Sequence, residues 1–184
     1  MNTLIVYGTT EGQTAKICEF IRARLAAEGH SVSAVDARHA PAAIGGQFDA
    51  VILAASVHAG HYQAPLIAFA HKHAARLNAM PSAFVSVSLS AAGDDEKDWK
   101  GLRECVERFE RETGWIPAEV HHAAGAFRFS EYDFFKRYAL KLIARQHGQP
   151  SDHDYELTDY QALAAFTDSF VVRAGQLALE PQGR

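Results

Sequence analysis

Short apolar runs alternate with longer stretches of helical periodicity along this chain. Residues 4–7 form an apolar run suited to a strand buried on both faces. Residues 14–28 then carry Ile17, Ile21 and Leu25 at i, i+4, i+8, with Cys18 beside them and Lys16, Arg22 and Arg24 on other faces. That spacing predicts an amphipathic helix, and Gly29 is its natural stop. Residues 31–36 alternate as a second strand, and 51–55 are the most apolar run to that point and predict a third. Residues 65–77 read as a second helix, opened by Pro65 at a position where its missing N–H costs nothing. A fourth strand is expected over 83–89, and a charged amphipathic helix over 95–113, with Leu102, Val106 and Phe109 on one stripe. Residues 119–127 predict a weaker fifth strand. Residues 157–174 predict a closing helix with Tyr160, Leu163, Phe166, Phe170 and Val171 inward.

Strands that alternate with helices predict an α/β fold with a doubly wound parallel sheet and right-handed crossovers. No internal repeat or low-complexity segment interrupts the pattern, so 1–184 is expected to be one domain with a frayed tail over 180–184. One segment exceeds the ordinary connection of about 2–6 residues: 128–156, between the fifth strand and the last helix. It has an amphipathic pattern of its own over 130–145. Phe134, Phe135, Tyr138 and Leu142 share a face, Lys136, Arg137, Lys141 and Arg145 supply positive charge, and Gly148 and Pro150 end it. It is too aromatic for a disordered linker. Two readings stand side by side. One is a docking surface for an apolar, acidic or membrane-located partner; the other is an extra helix packed on the core with solvated lysines and arginines.

The turn between the first strand and the first helix carries the clearest chemistry. It reads Thr9-Thr10-Glu11-Gly12-Gln13-Thr14. Helix N-terminal N–H groups lack intrahelical partners and sit at the positive end of the helix dipole, so such a turn is a ready anion site. Thr9, Thr10 and Thr14 add hydroxyl donors, and Gly12 allows close backbone approach. The turn has no lysine, unlike the loop of nucleoside triphosphatases, and lacks the three-glycine spacing of a dinucleotide site. It suits the single terminal phosphate of a mononucleotide such as FMN. The alternative is a plain strand–helix turn capped by a threonine, which accounts for one hydroxyl better than for three. Five strands with a phosphate turn after the first predict the flavodoxin-like order 2-1-3-4-5, with the ligand at the switch point between strands one and three.

Two further loops would then face the ligand. Ser56, Val57, His58, Ala59, Gly60, His61 and Tyr62 follow the third strand. Val57, His58 and Tyr62 could pack on or near a flavin ring, with main-chain groups at Ala59 and Gly60 at its edge. Ser88, Leu89, Ser90, Ala91, Ala92 and Gly93 follow the fourth strand and would reach the pyrimidine side through backbone groups. That loop holds no aromatic residue, so a stacking ring there would have to come from Trp99 or from 128–156.

Composition narrows the choices. A length of 184 residues, 48% hydrophobic and 22% charged, is ordinary for a globular domain, and the net charge of -4 argues against a nucleic-acid binder. Cys18 and Cys105 form no metal or redox motif and read as reduced thiols of a cytoplasmic protein. No signal segment and no membrane-spanning run is expected. His58, His61, His71 and His73 invite a metal, but His71 and His73 are i, i+2 on a helix and no Cys or carboxylate cluster completes a set, so no metal is expected. His121 and His122 read as structural.

With Thr9 to Thr14, the run Ala55-Ser56-Val57-His58-Ala59-Gly60-His61-Tyr62, the stretch 69–84 and Ala124-Gly125-Ala126-Phe127-Arg128-Phe129 in view, the chain resembles the flavodoxin-like protoporphyrinogen oxidase family over nearly its whole length. The Gly60-His61-Tyr62 and 72–84 blocks carry most of the specificity. The resemblance implies non-covalent FMN, oxidation of protoporphyrinogen IX, and a respiratory quinone (menaquinone or ubiquinone) as acceptor. It also implies a place at the cytoplasmic face of the inner membrane. By the same resemblance Thr9, Thr10, Glu11, Gly12, Gln13 and Thr14 would hold the FMN phosphate. Residues 56–61 and 88–93 would hold the ring, and Tyr62, Arg128, Phe134, Lys136, Arg137, Tyr138 and Lys141 would face the substrate. The flavin carries the chemistry, so no side chain is assigned as catalytic. Asp94, Asp95, Glu96, Asp98, Glu131 and Asp133 work against an anionic membrane or a porphyrinogen carboxylate. The other readings are a flavodoxin-type electron carrier docking to redox partners and a module that binds no flavin. The sequence does not define the oligomeric state.

Overall fold

The computed structural model describes residues 1–127 and 155–179. A parallel five-stranded sheet is built from β1 (Asn2–Gly8), β2 (Ser31–Asp36), β3 (Ala50–Ser56), β4 (Ser82–Ser88) and β5 (Val120–Ala124), in the order β2-β1-β3-β4-β5. This is the expected order. The helices are α1 (Gln13–Ala27), α2 (Ala64–Asn78), α3 (Glu96–Thr113) and α4 (Tyr160–Leu179).

Alternate strand positions serve opposite faces, as the two-residue period of a strand requires. Leu4, Val6, Val51, Leu53 and Phe84 pack with Leu66, Phe69 and Leu77 of α2, Val106 and Phe109 of α3, and Trp115. Ile5, Ile52, Ala54, Val85 and Val87 pack with Ile17, Ile21 and Leu25 of α1 and with Leu163, Phe166 and Phe170 of α4. The central strands are covered on both sides, which is why they read as continuous apolar runs rather than alternating ones.

Helix α1 stops where the sequence places the stop. Gly29 adopts φ +83, and His30 N–H reaches back to the Leu25 carbonyl at 3.0 Å, closing the helix C-terminus. Helix α3 begins at Asp95, whose carboxylate accepts from Lys97 N–H at 2.9 Å. Asp159 does the same for α4, accepting from Gln161 and Ala162.

Two features differ from the sequence reading. The fifth strand ends at Ala124, and after Gly125 the chain pairs elsewhere: β6 (Ala126–Phe127) runs antiparallel to β7 (Tyr155–Glu156). The cause is local. Gly125 N–H donates to the Ser88 carbonyl, and the Gly125 carbonyl then accepts from Leu157 N–H rather than extending the sheet. The long segment read as 128–156 is therefore flanked by a two-stranded ribbon, and its last two residues belong to that ribbon. The closing helix also starts three residues later, where Asp159 supplies the cap, and runs on to Leu179.

Candidate functional site

The C-terminal ends of β1, β3 and β4 deliver three loops to one edge of the sheet. The first, residues 9–12, leads into α1. Gly12 is its pivot, with φ +89, a conformation that an L side chain adopts only under strain. Gly12 N–H donates to Thr9 Oγ1 at 2.9 Å, which leaves the Thr9 hydroxyl proton for another acceptor. In contrast to α3 and α4, α1 has no side-chain cap. Its first N–H groups have no intrahelical acceptor by geometry, and the helix dipole adds positive character there. Thr14 Oγ1 is buried and has no hydrogen-bond partner in the protein. An uncapped helix end with a buried, unpartnered hydroxyl is the donor set that a phosphate group satisfies.

The Gln13 side chain is committed elsewhere. Its Nε2 donates to Glu156 Oε1 at 2.8 Å and to Thr158 Oγ1 at 2.9 Å, so only its backbone N–H remains for an anion. Tyr160 also donates its phenol proton to Glu156. These bonds hold the Glu156 carboxyl below the usual range, the Tyr160 bond most of all, against the opposing effect of burial. Burial first and the carboxylate second push the Tyr160 phenol up to about 12. Thr158 in turn donates to the Ala124 carbonyl at 2.8 Å. Gln13 thus joins the phosphate turn to the ribbon and to the start of α4.

The second loop turns tightly. His58 and His61 exchange two backbone hydrogen bonds, of 2.8 and 2.9 Å. The two residues between them are left-handed, Ala59 at φ +48 and Gly60 at φ +78, the signature of a type I′ turn. The glycine is at ease there and the alanine is strained. Arg108 Nη1 donates to the Gly60 carbonyl at 3.1 Å, and the Cys105 thiol lies 3.5 Å from it, so α3 fixes this peptide from behind. Ser56, Val57 and His58 are half-buried, while Ala59 and His61 are exposed.

Tyr62, at the end of this loop, turns into the core. It is 6% exposed, T-shaped against Phe84 and Phe109, and its hydroxyl pairs with buried Ser86 at 2.9 Å. Burial pushes its phenol well above the ordinary value. Tyr62→Phe leaves Ser86 without its partner and is expected to cost about 1–2 kcal/mol of stability. The variant is expected to leave substrate KM unchanged. Chemical denaturation and a substrate titration check the two halves.

The third loop follows β4 as a short 3-10 turn, Leu89–Ala92. Ser88 Oγ accepts from Ala91 N–H at 3.2 Å. The Trp99 indole N–H donates to the Gly93 carbonyl at 2.9 Å, and the ring meets His122 edge-on at 5.5 Å. Trp99 therefore braces this loop from α3 through its N–H. Arg128, Phe134, Lys136, Arg137, Tyr138 and Lys141 lie outside the described residues.

Gln63 joins two of these loops, a role no sequence pattern marks. Its Nε2 donates to Ser56 Oγ at 2.6 Å and to Thr10 Oγ1 at 3.2 Å, tying the first loop to the end of β3. A polar residue two positions before Pro65 reads as a helix cap, and in fact Gln63 is the N-cap residue of α2 without a side-chain cap bond.

Among the described residues, no group of three or more His, Cys, Asp or Glu could hold a metal, and no helix is long and apolar enough to cross a membrane. His121 stacks on Phe166 at 4.9 Å. Burial holds His73, His121 and His122 below the ordinary imidazole value. In the unfolded chain these rings bind protons near pH 6.5, before they do so in the native state. Their contribution is therefore fully present above that value and is lost as pH falls from about 6.5 toward the depressed native values. Melting temperature is expected to drop across that interval, and a His121→Phe, His122→Phe double variant is expected to flatten the drop.

The model of the flavodoxin domain matches residues 4–154. The protoporphyrinogen IX dehydrogenase [quinone] of Escherichia coli K12 is 33% identical over 168 residues, 90% of this chain and 92% of that protein. The Leishmania major protein of the same name is 32% identical over 182 residues, 97% of this chain and 78% of that protein. In fold, a short-chain flavodoxin associated with a bacterial microcompartment superposes with a TM-score of 0.60, at 14% identity, over 95% of this chain and 99% of its own.

Proposed function

The chain belongs to the flavodoxin-like protoporphyrinogen oxidase family, and from that premise we infer that it oxidises protoporphyrinogen IX to protoporphyrin IX and passes the electrons to a respiratory quinone, a step of haem synthesis. The observation that carries this reading is the near full-length relatedness to quinone-linked dehydrogenases on a five-stranded sheet of order 2-1-3-4-5.

We assign the cofactor as FMN. The support is the size and chemistry of the first loop: one uncapped helix end, the free Thr9 proton and the unpartnered Thr14 hydroxyl suit one terminal phosphate. Thr9, Thr10, Gly12 and Thr14, with the backbone at Glu11 and Gln13, hold that phosphate. Ser56, Val57, His58, Ala59, Gly60 and His61 flank the ring on one side, and Ser88, Leu89, Ser90, Ala91, Ala92 and Gly93 on the other. When bound, the flavin supplies hydride or stepwise electron transfer at N5. The chain binds and orients it: α1 anchors the phosphate, Arg108 holds the Gly60 peptide, and Trp99 holds Gly93. The exposed Ala59 and His61 leave that edge accessible to a large substrate. A quinone acceptor resides in the bilayer, so the working place of the enzyme is the cytoplasmic face of the inner membrane, approached peripherally by one domain spanning 1–184.

Anaerobic addition of protoporphyrinogen IX and menaquinone to flavin-loaded protein tests this. Porphyrin fluorescence is expected to rise in a quinone-dependent way. No gain over the enzyme-free control would leave a flavodoxin-type electron carrier as the better reading.

A further inference from the structure

We propose that Gln63 is a cofactor-binding residue whose Oε1 accepts a hydrogen bond from a hydroxyl of the flavin's ribityl chain. The inference rests on the flavin reading of this site. Three observations carry it. Gln63 Nε2 is spent on Ser56 Oγ at 2.6 Å and Thr10 Oγ1 at 3.2 Å, so the amide plane is fixed between the phosphate turn and the end of β3. Gln63 Oε1 is buried and has no hydrogen-bond partner in the protein. The backbone of β1 makes room for this side chain: a Cβ on Gly8 would lie 2.8 Å from Gln63 Oε1 and 2.9 Å from Gln63 Cβ.

The place of the oxygen selects the donor. A mononucleotide at the switch point between β1 and β3 runs from its phosphate at the α1 N-terminus to its ring beside residues 56–61. What lies between those ends in FMN is a polyol, a row of hydroxyl donors. A buried acceptor without a donor costs free energy that a bound hydroxyl restores. Gln63 also acts on the two loops together, since the same amide that meets the ligand ties Thr10 to Ser56.

The test uses the full-length apoprotein and three flavins, followed by quenching of flavin fluorescence. FMN carries ribityl and phosphate, riboflavin carries ribityl alone, and lumiflavin carries neither. Gln63→Met keeps the length and removes both polar atoms. It is expected to weaken FMN and riboflavin about threefold to tenfold and to leave lumiflavin unchanged, while the apoprotein melts a little lower because the bonds to Ser56 and Thr10 are lost as well. Gln63→Glu keeps an acceptor oxygen. It is expected to bind riboflavin as the parent does and FMN more weakly, because the new negative charge lies beside Thr10 of the phosphate turn. Unchanged FMN and riboflavin affinity in Gln63→Met overturns the proposal, as does an equal loss for lumiflavin, which makes Gln63 a brace for the loops alone. A parent protein that binds none of the three flavins overturns the flavin reading and the proposal with it.

Discussion

Thr14→Val is expected to raise the FMN dissociation constant about tenfold to a hundredfold while leaving the apoprotein as stable as the parent, or slightly more so. The two signs differ because the Thr14 hydroxyl has no partner within the protein although it is buried. Replacing it by a methyl group relieves an unmet polar atom in the free chain. Valine and threonine also have similar helix propensities, so the start of α1 is not weakened on that account. In the loaded protein the same change removes a donor to a phosphate dianion, and hydrogen bonds to charged groups are worth about 1.5–3 kcal/mol. Fluorescence titration measures the first effect and thermal melting of the apoprotein the second. Unaltered FMN affinity would remove Thr14 from the phosphate site. A large drop in apoprotein stability would mean that the hydroxyl has a structural role.

Trp115→Ala is expected to destabilise the fold by about 3–5 kcal/mol, a large part of the 5–15 kcal/mol typical of a domain. The indole is 0% exposed and lies edge-on to both Phe84 and Phe109. Its N–H donates to Ser82 Oγ at 3.1 Å, and Ser82 in turn donates to the Leu77 carbonyl at 2.8 Å. Removing it opens a cavity between β4, α2 and α3 and strips Ser82 of one partner. Trp115→Phe should cost less, since it keeps a ring and loses chiefly the N–H bond. Urea midpoints measure both, with an unchanged m-value expected. Ser82 begins β4 and the candidate site lies at the other end of that strand, so the flavin spectrum of the folded fraction should not change. A midpoint for Trp115→Ala equal to the parent's would contradict this account of the core.

These positions also mark how far the sequence could be read. Residues 51–55 and 14–28 show their roles openly, because a doubly covered strand is apolar throughout and a one-faced helix repeats every three to four residues. The phosphate turn is legible for a different reason: its chemistry is local, and all its groups lie within six consecutive residues. Tyr62 was not legible. It follows a turn, and no period tells whether a residue there points up to a ligand or down between Phe84 and Phe109. Trp115 stands alone after the helix-ending Gly114, so no neighbouring pattern marks it as core. Gln63 acts through partners 53 and seven positions away, Thr10 and Ser56, and only folding brings them together. The β6–β7 ribbon has two residues per strand, too few to display alternation.

That ribbon has a consequence for how such a chain can diversify. Ala126 pairs with Glu156 and Phe127 with Tyr155, so the residues on either side of 128–154 are held side by side. The five-stranded sheet is complete without anything that lies between them. Lengthening a connection whose ends are already joined costs little, since the entropy of joining them grows only with the logarithm of its length. A change of length between Phe127 and Tyr155 is therefore expected to leave the five-stranded sheet in place.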